Sequence, residues 1–269
     1  MVDEKVRVVR SEEVARRYFR TRLAAPQIAG QAAPGQFCQV RVGDGVTPLL
    51  RLPLSIGLAD PQAGTIDLLY QVVGPKSRAL GGLAPGSTTA CLGPLGRGFV
   101  APPGGHTAVL AGGGIGIPPL LFWGHRLRAG GWHTLLLVGA RTVDRHLPDS
   151  LLVPAAHEVR RATDDGGLGH PGPVTGLLLQ ALEECGPCTV YTCGPHPMMA
   201  AVAALCAARG VACQASLEEY MACGIGVCVG CVVELHPEEG KAASDYERYR
   251  RVCVDGPVFD ARRVRWEWP

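Results

Sequence analysis

The chain has 269 residues, of which 47% are hydrophobic and 19% are charged, and these proportions are typical of a soluble globular protein built from two or three modules. Because 26 Lys and Arg residues nearly balance 24 Asp and Glu residues, the net charge of +2 gives no electrostatic basis for binding nucleic acid or a membrane surface. The charged N-terminus lacks the apolar core of a signal peptide, and the longest apolar run is interrupted by glycines and prolines, so we expect a cytoplasmic protein without a membrane span.

The first part of the chain, residues 1–101, contains short apolar runs that are interrupted by turn residues about every ten positions. Many of these runs alternate apolar and polar residues, as in "FCQVRVGDG" and "GTIDLLYQVVG". This rhythm predicts an antiparallel barrel or sandwich. A short helix is expected to begin near Pro75.

The second part, residues 105–213, alternates apolar strands with helical patterns. It begins with the strand "HTAVLAGGG", and such alternation predicts a doubly wound α/β sheet of parallel strands. The junction "APPGG", residues 101–105, is the expected boundary between the two parts. The remaining segment, 214–269, holds a cysteine-rich loop and a charged tail and is too small for a core of its own. The predicted fold class is therefore α+β and multidomain.

Glycines follow the first strand of the second part, in "GGGIGIPPL", where backbone amides and a helix N-terminus could hold a diphosphate. A later strand ends in "TCGP", and the carboxyl ends of parallel strands line one crevice. The two strand ends together favour a nucleotide site over a bare glycine turn. The residues expected there are Gly113, Gly114, Gly116, Cys193, Gly194 and Pro195.

Four cysteines have the spacing of a plant-type [2Fe-2S] site: Cys223, Cys228 and Cys231 form C-x4-C-x2-C, and Cys253 follows after 21 residues. Disulfides are disfavoured in a reducing compartment, and a structural zinc ion and plain structural cysteines are the remaining alternatives. We favour the cluster, because zinc sites often use two C-x2-C pairs and this group has one. Six other cysteines are interpreted as core or surface thiols: Cys38, Cys91, Cys185, Cys188, Cys206 and Cys213.

The motifs "RLPLS", "LGPLGRGF", "GGGIGIPPL" and "CGPHPM" occur in this order along the chain. That order resembles the ferredoxin reductase superfamily, in which a flavin-binding barrel precedes a nicotinamide-binding domain. With the C-terminal cysteine group, nearly the whole chain resembles the family of electron-transfer subunits of type B dihydroorotate dehydrogenase. The resemblance implies one FAD, one [2Fe-2S] cluster and NADH as the electron donor. It also implies an FMN-containing catalytic partner that oxidises dihydroorotate in pyrimidine biosynthesis, in a heterotetramer with two copies of each subunit.

The resemblance also assigns residues to the flavin site. The family motif is Arg-Pro-x-Ser, and this chain has Leu52 in the place of the arginine. Arg51 is one position earlier and would point to the opposite face of a strand, so we do not expect it to replace that arginine. The motif of the family continues here as Pro53, Leu54 and Ser55, followed by Leu69, Tyr70 and Gln71, and then by Lys76 and Ser77 in place of a glycine and a threonine.

Three hypotheses follow from these assignments. Lys76 would supply the positive charge that Leu52 lacks, while Ser77 and the nearby amides would hold the pyrophosphate. Cys193 and the segment from Thr163 to Asp165 would lie near the dinucleotide. Arg141, at the expected end of the second parallel strand, is a candidate partner for a 2′-phosphate, although the family resemblance implies NADH.

Because a flavin can accept two electrons and release one at a time, no catalytic acid or base is expected. Two other functions stay open. One is a reductase subunit with the same cofactors that serves another acceptor, such as a sulfide dehydrogenase, a hydrogenase or a diaphorase. The other is a non-catalytic regulator that binds a nucleotide and zinc.

Overall fold

The N-terminal part of the chain forms a closed antiparallel β-barrel in the computed structural model, which describes residues 1–43, 47–102, 107–237 and 246–267. Its strands are β1 (Val2–Ala15), β2 (Tyr18–Ala24), β3 (Phe37–Val40), β4 (Leu52–Asp60), β5 (Thr65–Gln71) and β6 (Thr88–Leu95), with helices α1 (Pro26–Gln31) and α2 (Pro75–Gly81) between them. Around the barrel the strands follow the order β1-β2-β5-β4-β3-β6, and β6 pairs with β1 to close it.

Alternating side chains fill the barrel interior. Val6 and Val8 of β1 are fully buried between exposed neighbours, and Ile66 and Leu68 of β5 are fully buried in the same core. Since successive residues of a strand point to opposite faces, this alternation is the pattern expected of strands with one face in the core. The antiparallel barrel predicted for this part is confirmed, and the sandwich alternative is excluded.

The second part of the chain forms an open sheet of seven strands with helices on both faces. Its elements are β7 (Thr107–Gly113), α3 (Pro118–Ala129), β8 (His133–Ala140), α4 (Asp149–Leu152), β9 (Glu158–Thr163), β10 (His170–Pro171), α5 (Val174–Glu184), β11 (Cys188–Cys193), α6 (His196–Ala208) and β12 (Ala212–Ser216). The sheet order is β10-β9-β8-β7-β11-β12-β15, where β15 is Val258–Asp260. In the described ranges, no helix is long and apolar enough to cross a membrane.

Each face of this sheet packs on a different set of helices. On the central strand β7, Ala108 and Leu110 pack with α3, whereas Val109 and Ala111 pack with α5 and α6. All four residues are fully buried, because a parallel sheet that is covered on both faces leaves no polar side for solvent. The predicted doubly wound sheet is confirmed.

The C-terminal segment completes the sheet instead of forming a separate body. Strand β15 pairs antiparallel with β12 at the sheet edge, and a ribbon of β13 (Val232–Glu234) and β14 (Tyr249–Arg251) precedes it. Val233, Val252 and Val264 join the core of the α5/α6 face. The predicted boundary between residues 213 and 214 falls inside β12, and residues 103–106 of the predicted junction region lie outside the described parts of the chain.

Candidate cofactor sites

Two cavities adjoin between the carboxyl ends of the parallel strands and the barrel. The larger, of about 680 Å³, is lined by the ends of β7, β8 and β11, and the smaller, of about 410 Å³, is lined by β4 and β5 of the barrel and by the segment that follows β12. Gln71, Ile115 and Glu218 line both cavities. Planar rings bound in the two cavities would therefore meet at these three residues.

The glycine loop after β7 and the end of β11 form the centre of the larger cavity. The loop continues as a short 3₁₀ helix, Gly114–Gly116, and α3 begins at Pro118. A Cβ atom on Gly116 would lie 2.4 Å from Gly194 Cα and 2.5 Å from Gly194 N, so the two backbones approach too closely for any side chain. Five of the residues predicted for a nucleotide line this cavity: Gly113, Gly114, Gly116, Gly194 and Pro195.

Gly116→Ala is expected to weaken nicotinamide dinucleotide binding by at least about tenfold, because the added methyl group must push the two strand ends apart. Calorimetric titration of the variant with NAD⁺ would measure the loss. Gly30→Ala is the control for a glycine substitution, because Gly30 is an exposed residue of α1 without a positive φ and nothing lies within 4 Å of the added carbon. Equal affinities of the Gly116 variant and the wild type would contradict this role of the close approach.

Cys193 differs from its predicted neighbours because it does not line the larger cavity. Its thiol is fully buried, and burial raises its pKa well above the ordinary value. The sulfur lies 3.9 Å from Glu218 Oε1, within reach of a weak S–H donor. Cys193 is thus buried outside the cavity and contacts Glu218, which lines it.

Of the three residues predicted at the end of β9, one lines the larger cavity and the other two do not. Asp164 lines the larger cavity, and its backbone N–H donates to the Ala140 carbonyl at 3.0 Å, which places it beside the end of β8. Thr163 is buried and its hydroxyl closes the turn by bonding to both backbone groups of Leu168. The Asp165 carboxylate accepts the Gly167 N–H within the turn.

Glu218 is the residue that the sequence interpretation missed. It is exposed to both cavities, although protein encloses it on most sides, and this burial raises the pKa of its carboxyl group. It follows β12, a further parallel strand, so the rule that placed Gly116 and Gly194 in one crevice also applies to it. We missed that signal because the α/β part was taken to end at residue 213.

Glu218→Gln is expected to alter how stability depends on pH. Since the pKa of Glu218 is raised in the folded state, the folded state binds this proton more tightly than the unfolded state does. The proton therefore adds to the free energy of unfolding at low pH, and this contribution is lost as the pH rises above the ordinary value of 4.5. Glutamine cannot lose a proton, so the melting temperature of the variant relative to wild type should rise between about pH 4 and pH 8. Scanning fluorimetry across that range measures the difference, and a pH-independent offset would contradict the prediction.

The smaller cavity brings together most of the residues predicted for the flavin. Those that line it are Leu52, Pro53, Leu54, Ser55, Leu69, Tyr70, Gln71 and Ser77. Tyr70 also belongs to the barrel core: its ring stacks on Phe19 with centroids 6.3 Å apart, and its hydroxyl lies 2.8 Å from Thr21 Oγ1. The site is therefore formed on the wall of a rigid barrel.

No lysine or arginine is among the described residues that line the smaller cavity. Arg51 points away and forms a bidentate pair with Asp3, with N–O distances of 2.7 and 2.6 Å, which lowers the pKa of that carboxyl group. Lys76 Nζ donates to the Arg51 carbonyl oxygen at 3.2 Å, directly before Leu52 in the chain. The ammonium group of Lys76 thus lies beside the position where the family has an arginine. The Ser77 hydroxyl is already bonded to the backbone of the 73–74 turn.

The four cysteines of the C-terminal segment lie as two pairs. Cys223 is paired with Cys228, whose N–H donates to its sulfur at 3.4 Å, and Cys231 is paired with Cys253 in the same way at 3.4 Å. Burial by itself would raise the pKa of the Cys223 thiol, but the backbone N–H groups of Cys228 and Ile225 donate to its sulfur and lower the pKa to about 6. Burial, followed by the neighbouring Cys231, raises the pKa of Cys253 to about 12.

This pairing fits two irons better than one ion. Within the described residues, no group of three or more His, Cys, Asp or Glu side chains is close enough to hold a single metal ion. A [2Fe-2S] cluster needs two thiolates on each iron, and N–H groups directed at the sulfurs stabilise its negative charge. The chemistry of the donors therefore fits the cluster, and a tetrahedral zinc site does not fit this arrangement.

The cysteine loop is held against the barrel by Gln39 of β3. Its amide Nε2 donates to the Ala222 carbonyl at 3.4 Å, and its Oε1 is buried without a partner. Gly224 has a φ of 69°, and a Cβ there would lie 2.1 Å from Gln39 Nε2. A glycine is required at this position both for the left-handed conformation and for the contact with Gln39.

Comparison with known proteins identifies the family. A model of the iron–sulfur cluster binding domain of dihydroorotate dehydrogenase B matches residues 218–265. The dihydroorotate dehydrogenase B (NAD(+)) electron transfer subunit of Desulforamulus reducens is 38% identical over 243 residues, which are 90% of this chain and 90% of the relative. This chain belongs to that family. The corresponding subunit of Shouchella clausii is 35% identical over 97% of both chains.

The same architecture occurs in a solved structure. One chain of an NADH-dependent reduced ferredoxin–NADP oxidoreductase superposes with a TM-score of 0.85 at 26% identity, over 97% of this chain and 90% of that one. Membership of the dihydroorotate dehydrogenase B subunit family confirms the resemblance that the ordered motifs indicated, and with it the predicted oxidoreductase class. The name of the family implies a catalytic partner subunit.

Proposed function

We propose that this chain passes electrons from NADH, through FAD and a [2Fe-2S] cluster, to the FMN-containing catalytic subunit of dihydroorotate dehydrogenase B in the cytoplasm. The partner would oxidise dihydroorotate for pyrimidine biosynthesis, in a heterotetramer of two copies of each subunit. The observation that carries this proposal is the family membership together with two adjoining cavities and a two-pair cysteine loop on one chain.

Each cofactor has a part of the chain that would hold it. The barrel would bind FAD in the smaller cavity, the sheet of parallel strands would bind NAD(H) in the larger cavity, and the cysteine loop after β12 would bind the cluster. Ser55, Tyr70 and Gln71 would contact the flavin ring, and Gly113, Gly116 and Gly194 would allow the dinucleotide to approach the backbone.

The protein contributes position and electrostatics to this reaction. When bound, a flavin accepts a hydride from the nicotinamide and releases single electrons to an iron–sulfur cluster, so it belongs between them. Gln71, Ile115 and Glu218 form the shared wall where the two rings would meet. Gln39 and the Gly224 turn hold the cysteine loop on the barrel that carries the flavin cavity. No side chain is required as an acid or a base.

A second candidate function keeps the same cofactors but serves another electron acceptor. The structural match to a chain of the reduced ferredoxin–NADP oxidoreductase extends over 97% of this chain. The described residues indicate which cofactors are bound, but they do not identify the final electron acceptor. A subunit serving that other acceptor would keep the same two cavities and the same thiol pairs. The zinc-binding regulator is disfavoured by the pairing of the cysteines.

The proposal is tested by anaerobic spectroscopy and by co-purification. Addition of NADH should bleach both flavin and cluster absorbance, and no bleaching would exclude an electron-transfer role. The tagged chain should then be co-expressed with the dihydroorotate-oxidising subunit from the same organism. A complex that reduces NAD⁺ with dihydroorotate supports the proposal, whereas bleaching without such a complex favours the other acceptor.

A further inference from the structure

One arginine contacts both halves of the cysteine segment. Arg251 ends β14, two residues before Cys253, and its Nη1 donates to the Gly226 carbonyl oxygen at 3.0 Å. Gly226 lies between Cys223 and Cys228 in the chain. A hydrogen bond from one side chain thus ties the loop of the first thiol pair to the strand that leads into the second pair.

The same glycine is close to the second thiol pair. Its φ is 84°, and a Cβ atom there would lie 3.1 Å from Val254 Cγ1 and 3.3 Å from Arg251 Nη1. Burial raises the pKa of Cys253, and a hydrogen bond from the Gly226 N–H acts in the opposite direction. Gly226 therefore donates to the second pair and accepts from Arg251, so the guanidinium fixes this glycine between the two pairs.

Asp255 holds the backbone and the side chain of this arginine. Its Oδ2 accepts the Arg251 backbone N–H at 2.9 Å and lies 3.4 Å from Arg251 Nε, while the Arg251 carbonyl oxygen accepts the Asp255 N–H at 2.8 Å. Cys253 therefore lies in a turn whose two ends are bonded to each other. Both charged side chains are partly exposed, so replacing either one does not empty a position in the core.

The cysteine loop itself contributes no charge apart from its thiolates. The segment 221–233 contains no Asp, Glu, Lys, Arg or His, and Arg251 brings a guanidinium to it. Reduction adds an electron to a cluster, so a nearby cation stabilises the reduced state and a nearby carboxylate destabilises it. A guanidinium fixed at Gly226 is therefore expected to raise the reduction potential of a cluster on these cysteines, and the Asp255 carboxylate to lower it.

We propose that Arg251 is a positioning residue of the cluster site, which holds the two thiol pairs together and raises the reduction potential of the bound cluster. Asp255 opposes this effect, so the two side chains together set the potential. The inference rests on the proposed function, because it assumes that the four cysteines bind a [2Fe-2S] cluster. It adds to the ligand set two residues that control how readily the cluster accepts an electron from the flavin.

Anaerobic redox titration of the holoprotein, followed by the electron paramagnetic resonance signal of the reduced cluster, tests this role without turnover. Arg251→Gln should lower the ratio of reduced to oxidised cluster about tenfold at a fixed solution potential, which corresponds to a shift of about 59 mV for one electron. Arg251→Lys keeps the charge and should lie nearer to wild type. Asp255→Asn keeps an acceptor for the Arg251 N–H but removes a negative charge, so it should shift the potential upward.

Arg250→Gln is the matched control. Arg250 precedes Arg251 in β14, and its side chain leaves the strand on the other face, because successive residues of a strand point to opposite faces. Its described hydrogen bond goes to the Tyr249 carbonyl oxygen, outside the cysteine loop. We therefore expect a shift well below that of Arg251→Gln.

An unchanged potential in Arg251→Gln would refute the role of this arginine, and so would equal shifts in the Arg250 and Arg251 variants. Shifts of the same sign in Arg251→Gln and Asp255→Asn would indicate a change in the loop and not an effect of charge, and would also refute it. If Arg251→Gln retained no cluster, the sign of the Asp255→Asn shift would decide. A wild-type chain that takes up no [2Fe-2S] cluster would refute this inference together with the proposed function, whereas each of the other results leaves the proposed function intact.

Discussion

Cys228→Ser is expected to abolish the [2Fe-2S] cluster and electron transfer to the partner, while NADH still bleaches the flavin. Cys228 is the exposed member of its pair, so serine is not expected to disturb the core, but it removes one of the four thiolates that two irons require. Iron and sulfide analysis and the visible spectrum measure the cluster. Reduction of an artificial flavin-level acceptor by NADH measures what is left of the upstream transfer.

Cys185→Ser provides the matched control for this experiment. Cys185 is a partly exposed thiol at the end of α5, outside the two pairs, and its replacement should leave cluster content and transfer unchanged. If Cys228→Ser retained stoichiometric iron and sulfide with an unchanged visible spectrum, Cys228 would not be a ligand. If the variant lost flavin reduction as well, the cysteine loop would have a structural role in the flavin cavity.

Lys76→Ala is expected to weaken FAD binding by about tenfold, because it removes a charge-assisted contact to the pyrophosphate. The smaller cavity has no basic residue in its described lining, Arg51 is committed to Asp3, and the Lys76 ammonium lies beside Leu52. FAD retained after gel filtration, and the quenching of flavin fluorescence on rebinding, measure the effect independently of turnover.

Two further variants make the Lys76 experiment specific. Leu52→Arg in the Lys76→Ala background should recover FAD, because it restores a guanidinium from the position where the family carries one. Arg78→Ala is the control: Arg78 is an exposed cation on the same short helix, but unlike Lys76 it has no described hydrogen bond to the backbone beside Leu52. FAD content of Lys76→Ala equal to wild type would show that the lysine does not compensate for Leu52.

Local patterns in the sequence predicted the elements well. Alternation in strands such as "TIDLLYQ" indicated a barrel, and apolar strands alternating with helices indicated a parallel sheet. The spacing of Cys223, Cys228 and Cys231 with the distant Cys253 indicated a cluster, because ligand spacing within one loop is a local property. The ordered motifs identified the family.

Residues that act by meeting across the fold were harder to predict. Glu218 joins the two cavities because β12 runs parallel beside β11, and that pairing connects segments that no local pattern relates. Cys193 has the expected position along its strand but faces the core. The alternation of side chains along a strand shows which residues share a face, but it does not show what that face packs against.

Periodicity and spacing along the chain were therefore enough to identify the class of each module and the family, and they predict the four thiol ligands. The tertiary structure decided which charges are free to meet a ligand. Arg51 is neutralised by Asp3, from a strand 48 residues earlier, and Asp144 is held by Arg16 of the barrel, 128 residues away. Ion pairing between distant segments depends on how they pack in space, and for that reason only the folded chain shows that Arg51 and Asp144 are already paired.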